Sequence, residues 1–302
     1  MKSKTLPTSA ILFGLAVIPF QLGHAAILVS DTWLDGDRTV QEPGTDADAD
    51  GNIESAWFGG GLTSSTGKLT GTVPAGSASW TTYLTAEGSE ATLVNPGDTL
   101  TVSWTFTLTG TNATNASQGF RLALVNSPGA ARVATDTAPG SSTYGGYGMF
   151  MNMGQTLGHA NPFQLMERAA PATASALLSA SGSWTALDDQ ESISTPGYAD
   201  ATPYTFTMTI TLTEALELSI NSTMAGGTTL GGDGLLQAAW VDTTPNSLSF
   251  DTFSLRPSGN ASSAPTIDTT AFSATLTSIP EPSTVTAFVG LALFVLIRRR
   301  RS

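Results

Sequence analysis

The feature that most restricts what this chain can fold into is the alternation TLTVSWTFTLT at 99–109. Leu100, Val102, Trp104, Phe106 and Leu108 fall on one side, and Thr99, Thr101, Ser103, Thr105 and Thr107 on the other. That period fits an antiparallel strand with one dry and one wet face. A second run, YTFTMTITL at 204–212, repeats it with Tyr204, Phe206, Met208, Ile210 and Leu212 inward. Threonine suits the outer positions because its branched β-carbon fits the pleat while its hydroxyl stays solvated. Weaker strand patterns lie at 27–30, 55–58, 67–72, 79–84, 120–125, 148–153, 163–168, 177–180, 183–187, 216–221, 235–241, 250–255 and 271–276. Turn chemistry separates most of them, as at Asn95-Pro96-Gly97-Asp98, Ser127-Pro128-Gly129 and Gly231-Gly232-Asp233-Gly234. No helix-period stretch of useful length interrupts the series. The expectation is an all-β protein: one two-sheet antiparallel β-sandwich of jelly-roll, lectin/glucanase-like type over residues 26–278.

Charge and composition exclude several chemistries. The chain has no cysteine, so disulfides, thiolate zinc sites and cysteine nucleophiles are absent together. Of its two histidines, His24 lies in an N-terminal segment expected to be cleaved, which leaves His159 alone and no multi-histidine metal site. Half of the twelve Lys and Arg residues sit at the chain ends. Between residues 26 and 280 there are 23 acidic against six basic side chains, a balance of −17. Reading nucleic-acid phosphates takes clustered cations, so no nucleic-acid partner is expected. No glycine-rich segment follows a strand and opens a helix in phosphate-loop order, so no nucleotide cofactor is indicated.

The two ends have the character of addresses. Residues 1–25 carry Lys2 and Lys4, an apolar stretch at 10–20, and small residues around Gly23 and Ala25, the order of a secretory signal peptide. Cleavage is expected after Ala25. At the other end Pro280-Glu281-Pro282 precedes an apolar span at 283–297 and then Arg298, Arg299, Arg300 and Arg301. Fifteen helical residues reach about 22 Å at ~1.5 Å each, short of a hydrocarbon core of ~30 Å. Crossing therefore takes local thinning or snorkelling arginines. The positive-inside bias puts the arginines in the cytoplasm and the acidic middle outside.

This tail, residues 279–302, resembles the PEP-CTERM sorting signal: a Pro-Glu-Pro triplet, a short transmembrane helix and a terminal arginine cluster, here in order. The resemblance implies recognition by an exosortase-type membrane enzyme and cleavage near the triplet. Delivery would be to the cell surface or exopolysaccharide matrix of a Gram-negative, biofilm-forming bacterium, with transient anchoring in the inner membrane. It says nothing of the rest of the chain. The body resembles uncharacterised verrucomicrobial and planctomycetal PEP-CTERM exoproteins with a concanavalin-A-like sandwich. That similarity rests on segments such as Asp31-Thr32-Trp33-Leu34-Asp35-Gly36-Asp37-Arg38, Gly119-Phe120-Arg121 and Phe250-Asp251-Thr252-Phe253. A fold shared by lectins and glycanases does not choose between them.

Three constellations bear on chemistry. Asp46, Asp48, Asp50 and Gly51 reproduce the opening of a calcium loop, with Asn52 at the backbone-carbonyl position and Glu54 at the ninth. Position twelve is Trp57 instead of a bidentate glutamate, so a solvated acidic loop competes with a calcium site. Asp31, Asp35, Asp37 and Arg38 surround Trp33, an arrangement that could stack a sugar ring and pair its hydroxyls. Packing of Trp33 into the core beside an Asp35-Gly36 turn explains the same residues. Glu167, Asp188, Asp189, Glu191 and Glu217 are the carboxylates a glycoside hydrolase would draw on. His159, near Tyr144 and Tyr147, is what a lyase would use as base, with Arg121 or Arg168 holding an acidic sugar. No catalytic residue is assigned. An exported, non-catalytic, glycan-contacting sandwich leads, and a secreted polysaccharide hydrolase or lyase on the same fold is the alternative.

Overall fold

The alternation at 99–109 is realised residue for residue: Leu100, Val102, Trp104, Phe106 and Leu108 are fully buried and the intervening hydroxyl residues half-buried. The structure is a computed structural model that describes residues 23–280 except 128–131, 141, 173–176, 180, 191–195 and 229. In chain order the strands are β1 (His24–Asp31), β2 (Trp57–Phe58), β3 (Leu62–Ser65), β4 (Lys68–Thr72), β5 (Trp80–Tyr83) and β6 (Ala91–Thr92). Then come β7 (Thr99–Thr109), β8 (Phe120–Asn126), β9 (Gly145–Met151), β10 (Phe163–Arg168), β11 (Thr185–Gln190) and β12 (Tyr204–Leu212). The last are β13 (Leu218–Gly226), β14 (Leu235–Asp242), β15 (Ser249–Phe250), β16 (Thr252–Pro257) and β17 (Thr266–Ser278).

They form an antiparallel two-sheet sandwich. The first sheet runs β14-β13-β12-β7-β17-β4-β3, with β1 also on β17; the second runs β11-β10-β9-β8-β16-β5-β2, and β15 and β6 make a small ribbon. The main core fills the space between the sheets, with Trp57 edge-on to Phe272 at 5.1 Å and Trp104 stacked on Phe106 at 3.9 Å. The first sheet's outer face carries cross-strand hydroxyl pairs, Thr99 with Thr211 at 2.9 Å and Thr105 with Thr205 at 3.0 Å. The middle of the second sheet is covered on both faces. All seven residues of β9 are buried, and a second cluster of Val125, Tyr144, Phe150, Met166, Leu177, Leu178 and Trp184 covers the outer side. Gly148 makes that cover fit, since a Cβ there would lie 2.8 Å from the Trp184 ring.

The structure departs from the sequence expectation in three places. Residues 177–179 form a turn, because Leu177 and Leu178 cap the second sheet instead of extending it. The run at 250–255 is broken at Asp251, whose buried carboxylate accepts the Ser127 amide at 2.9 Å and separates β15 from β16. The short β3 and β6 carry too few inward apolar residues to register as alternations. The signal peptide expected at 1–25 lies outside the described residues except for 23–25, of which His24 and Ala25 open β1, and the transmembrane helix expected at 283–297 lies wholly outside them.

Both ends of the compact unit, His24–Ile279, meet at one place. β1 runs antiparallel to β17, with His24 opposite Ser278 and Ala25 opposite Thr277. The buried carboxylate of Asp98 then accepts three backbone N–H groups, from Val94 (2.8 Å), Asn95 (2.8 Å) and Ile279 (2.7 Å), while Asn95 Nδ2 donates to the Ile279 carbonyl (3.1 Å). Burial alone would raise the Asp98 pKa, but the three donors prevail and hold it below the usual carboxylate range. Replacing Asp98 with Ala strips those donors of their partner and should cost about 3 kcal/mol of unfolding free energy. Urea denaturation measures it, and a loss under about 0.5 kcal/mol would show the clamp to be incidental.

Candidate functional site

The segment between β1 and β2 is folded into a closed acidic loop by two backbone ties. Ser30 and Ile53 exchange N–H···O bonds of 2.9 and 3.1 Å, and the Glu42 amide donates to the Glu54 carbonyl at 3.0 Å. Within the loop, Glu42 Oε1 accepts the Ala47 amide (2.7 Å), Asp46 Oδ2 the Gly51 amide (3.0 Å) and Asp50 Oδ1 the Asn52 amide (2.7 Å). Gly51, at φ 99°, supplies the reversal that a side chain would resist.

These contacts gather carboxylates. One oxygen each from Glu42, Asp46 and Asp48 lie within 4.8 Å of one another, and so do those from Asp48, Asp50 and Glu54, with Asp48 common to both groups. Glu42 and Glu54 are each only 5% exposed. Their Oε2 and Oε1 atoms, and Asp50 Oδ2, are buried with no hydrogen-bond partner among the described residues. Burial pushes the Glu54 carboxyl up to about 7, helped by the charges of Asp35, Glu42, Asp31 and Asp48. Neighbouring Asp31 rises to about 6, mainly by burial, against the N–H groups of Trp33 and Ser55. Oxygen-only donors with unused lone pairs suit a hard cation and no soft one.

Of the expected ligands, Asp46, Asp48, Asp50 and Glu54 are brought together. Asn52 is expected to contribute its backbone carbonyl, and its side chain is engaged elsewhere. In the orientation that satisfies both ends of its amide, it donates to Ser30 O (3.2 Å) and Thr32 Oγ1 (3.1 Å) and accepts from Leu34 N (3.2 Å). Trp57, at position twelve, is fully buried in the core. Glu42 supplies a carboxylate there instead. It lies upstream of the motif and enters through the tie to Glu54, which no local spacing announces.

The Trp33, Asp35 and Asp37 arrangement is corrected. Trp33 is fully buried and has no face free for a sugar. Asp35 accepts the Asp37 amide (2.7 Å), and Asp37 accepts the amides of Arg38 (2.6 Å) and Thr39 (2.8 Å), as turn residues do. Of the six tryptophans, only Trp240 on β14 is exposed, at 43%. His159 lines a shallow cavity of about 490 Å³ with Ser117, Gln118, Arg121 and Ser258, its Nδ1 accepting the Asn161 amide at 3.0 Å. Tyr144, Tyr147 and Arg168 are buried away from it. Glu167 accepts from Asn246 Nδ2, and Asp188 accepts the Ala239 amide at 2.8 Å. Glu191 lies outside the described residues, as do Glu281, Pro282 and Arg298 to Arg301 of the tail; Pro280 follows the clamped Ile279.

No protein-family model and no curated protein matches the chain. Among solved structures it is similar to the carbohydrate recognition domain of Emp46p in its metal-free form, at 10% identity over 80% of this chain and 98% of that one, with a TM-score of 0.47. It is also similar to the exoplasmic/lumenal domain of VIP36 in its Ca2+-bound form, at 12% identity over 82% and 89%, with a TM-score of 0.47. Lectin I from Ulex europaeus, in complex with the methyl glycoside of alpha-L-fucose, matches at 11% identity over 74% and 92%, with a TM-score of 0.43. What those proteins bind does not pass to this chain through a likeness of that strength.

The raised carboxyls fix a pH dependence. Glu54 and Asp31 bind protons more tightly folded than unfolded, so their ionisation costs stability above about 7 and 6, and the cost is relieved as pH falls towards their ordinary values of 4.5 and 3.8. The depressed carboxyls, such as Asp98 and Asp268, lose their contribution only below that window. Chelator-treated protein should therefore melt higher at pH 5.5 than at pH 7.5. Glu54→Gln should raise the melting temperature at pH 7.5 and flatten the profile. Thermal melts across this range check both, and a fall in stability between pH 7.5 and 5.5 would contradict the reading.

Proposed function

We propose that the chain is an exported β-sandwich protein of a Gram-negative cell surface or extracellular matrix, routed by a signal peptide and an exosortase-sorted PEP-CTERM tail. In this reading it has no catalysis of its own, contacts exopolysaccharide, and holds a calcium ion in its N-terminal loop. The observation that carries it is the placement of the compact unit. His24–Ile279 contains the whole sandwich, its first and last strands are paired, and the segments with address character begin beyond both ends. Removing residues 1–25 takes only His24 and Ala25 from β1, and cutting after Ile279 takes no strand residue. An acidic, cysteine-free body agrees with life in millimolar calcium outside the cytosol, where weak oxygen sites fill. Glu42, Asp46, Asp48, Asp50 and Glu54 are the residues that would hold the ion. Trp240 is the aromatic face available to a sugar ring.

Fractionation of the producing cells, with mass spectrometry of the mature termini, tests the routing. The N-terminus should fall at residues 24–27 and the C-terminus between Ile279 and Val285, in the surface or extracellular fraction. Recovery of Arg298 to Arg301 in the extracellular form would overturn sorting. Calcium at a hundredfold excess over its Kd stabilises by about 2.7 kcal/mol, several degrees in a chain of this size. Added to chelated protein, it should raise the melting temperature, and Glu42→Gln should abolish the rise. An unchanged melt would remove the ion from the reading and leave the routing intact.

A further inference from the structure

Five of the six cations of the body are engaged. Arg38 forks onto Asp136 at 2.9 and 2.8 Å, Lys68 reaches Asp268 at 2.9 Å, and Arg132 reaches Asp251 at 3.0 Å. Arg168 donates to the Tyr144 carbonyl at 3.1 Å, and Arg121 donates to the Leu178 carbonyl at 2.9 Å while lying 4.2 Å above the Phe150 ring. Arg256 is different: among the described residues no carboxylate or hydrogen-bonding group faces its guanidinium. It stands directly opposite Arg121 on the antiparallel pair β8 and β16, on the outer side of the second sheet. Like charges in that register repel. Both guanidinium groups are half-buried, and burial pushes both pKa values down, with Arg256 adding to the effect on Arg121.

Arg256 also lines a cavity of about 580 Å³. Thr72, Ser77, Ser79 and Thr137 bring hydroxyls to its wall, and Leu178 brings an apolar surface. Asp136 lines it too, but the fork of Arg38 and the Gly59 amide at 3.0 Å already satisfy that carboxylate, which sits below the usual range as a result. The cavity therefore carries uncompensated positive charge inside a body of net −17.

We propose that this cavity binds the carboxylate of an acidic sugar residue in a polysaccharide, with Arg256 as the anchoring partner and Arg121 strengthening the local field. The volume is that of a small-molecule site and exceeds what a bare anion fills. Hydroxyls beside an apolar patch match the edge and face of a pyranose, and arginine is the side chain whose planar fork fits a carboxylate. The proposal deepens the exopolysaccharide-contacting part of the function above and rests on it for the ligand class alone.

Isothermal titration of the full chain with tetragalacturonate, neutral cellotetraose and sodium acetate tests it. Tetragalacturonate should bind at least tenfold more tightly than either of the others, and more weakly as salt rises from about 20 to about 300 mM. Arg256→Gln should weaken it tenfold or more and Arg256→Lys less. Because Arg256 has no partner to lose, Arg256→Gln should melt no lower than the parent protein. Equal affinity for acetate would reduce the cavity to a bare anion site and overturn the sugar class. Binding that Arg256→Gln leaves unchanged, no binding of tetragalacturonate, or a marked fall in the variant's melting temperature would each overturn the proposal. Cellotetraose binding alone would overturn it while leaving glycan contact standing, and the cell-fractionation result is independent of all these outcomes.

Discussion

The last strand of the chain is the one around which the first sheet is assembled. β17 pairs with β7 along its whole length on one edge and shares the other edge between β4 at Thr266–Thr269 and β1 at Phe272–Ser278. Until residues 266–278 are in place, the sheet is three unconnected pieces: β14-β13-β12-β7, β4-β3, and β1 alone. Closing pairs so distant in sequence costs loop entropy before any contact rewards it, so such a topology folds late. The proposed export would gain from that delay, since a chain that cannot complete its sheet before its C-terminal residues are made stays extended during transfer. The Asp98 clamp on Ile279 completes the same assembly by fixing the residue where the body ends.

Charge placement follows a complementary logic. The body has far more acids than bases, yet most acids with depressed pKa values are simple turn or pair residues: Asp37 with Thr39, Asp200 with the Gly110 and Thr111 amides, Asp268 with Thr70 and Lys68. Two places break that pattern in opposite directions. The loop at 42–54 crowds carboxylates whose buried oxygens have no donor, and the β8–β16 pair sets two arginines side by side with one left uncompensated. Each arrangement is unfavourable for the protein alone, and each is relieved by a ligand of opposite charge. Unrelieved desolvation of that kind separates a binding site from a surface patch, which water already satisfies.

The strands were legible because their physics is local. The period-two runs at 99–109 and 204–212 coincide with β7 and β12, since burial of one face imposes the alternation; the weaker pattern at 163–168 coincides with β10. The turn at 177–179 was misread because two adjacent leucines look alike on a strand and on a cap over a sheet. Asp46, Asp48, Asp50 and Glu54 were legible as a set from their spacing. Glu42 was not, since it reaches Glu54 through a backbone bond between distant segments. Trp33 carried the residue types of a sugar platform, but the fully buried indole shows that flanking carboxylates do not determine which way a ring points. Arg256 carried no motif at all; its meaning lies in an absent partner, and only the folded chain reveals which partners each cation has.

The two sites share one piece of backbone. The segment from β1 to β2 holds the acidic loop, and at Arg38 it turns back onto the second sheet, where the Arg38 carbonyl accepts the Trp57 amide at 2.7 Å and its Nη1 donates to the Trp57 carbonyl at 2.6 Å. The same guanidinium holds Asp136, which with Gly60 and Gly61 forms part of the wall around Arg256. The chain that carries the proposed ion loop therefore also carries Arg38, whose guanidinium holds Asp136 on the cavity wall. The fork and the Gly59 amide together engage both oxygens of Asp136, so the acid on that wall is already paired. One charge pair on the wall is complete, while Arg256 has no such partner among the described residues.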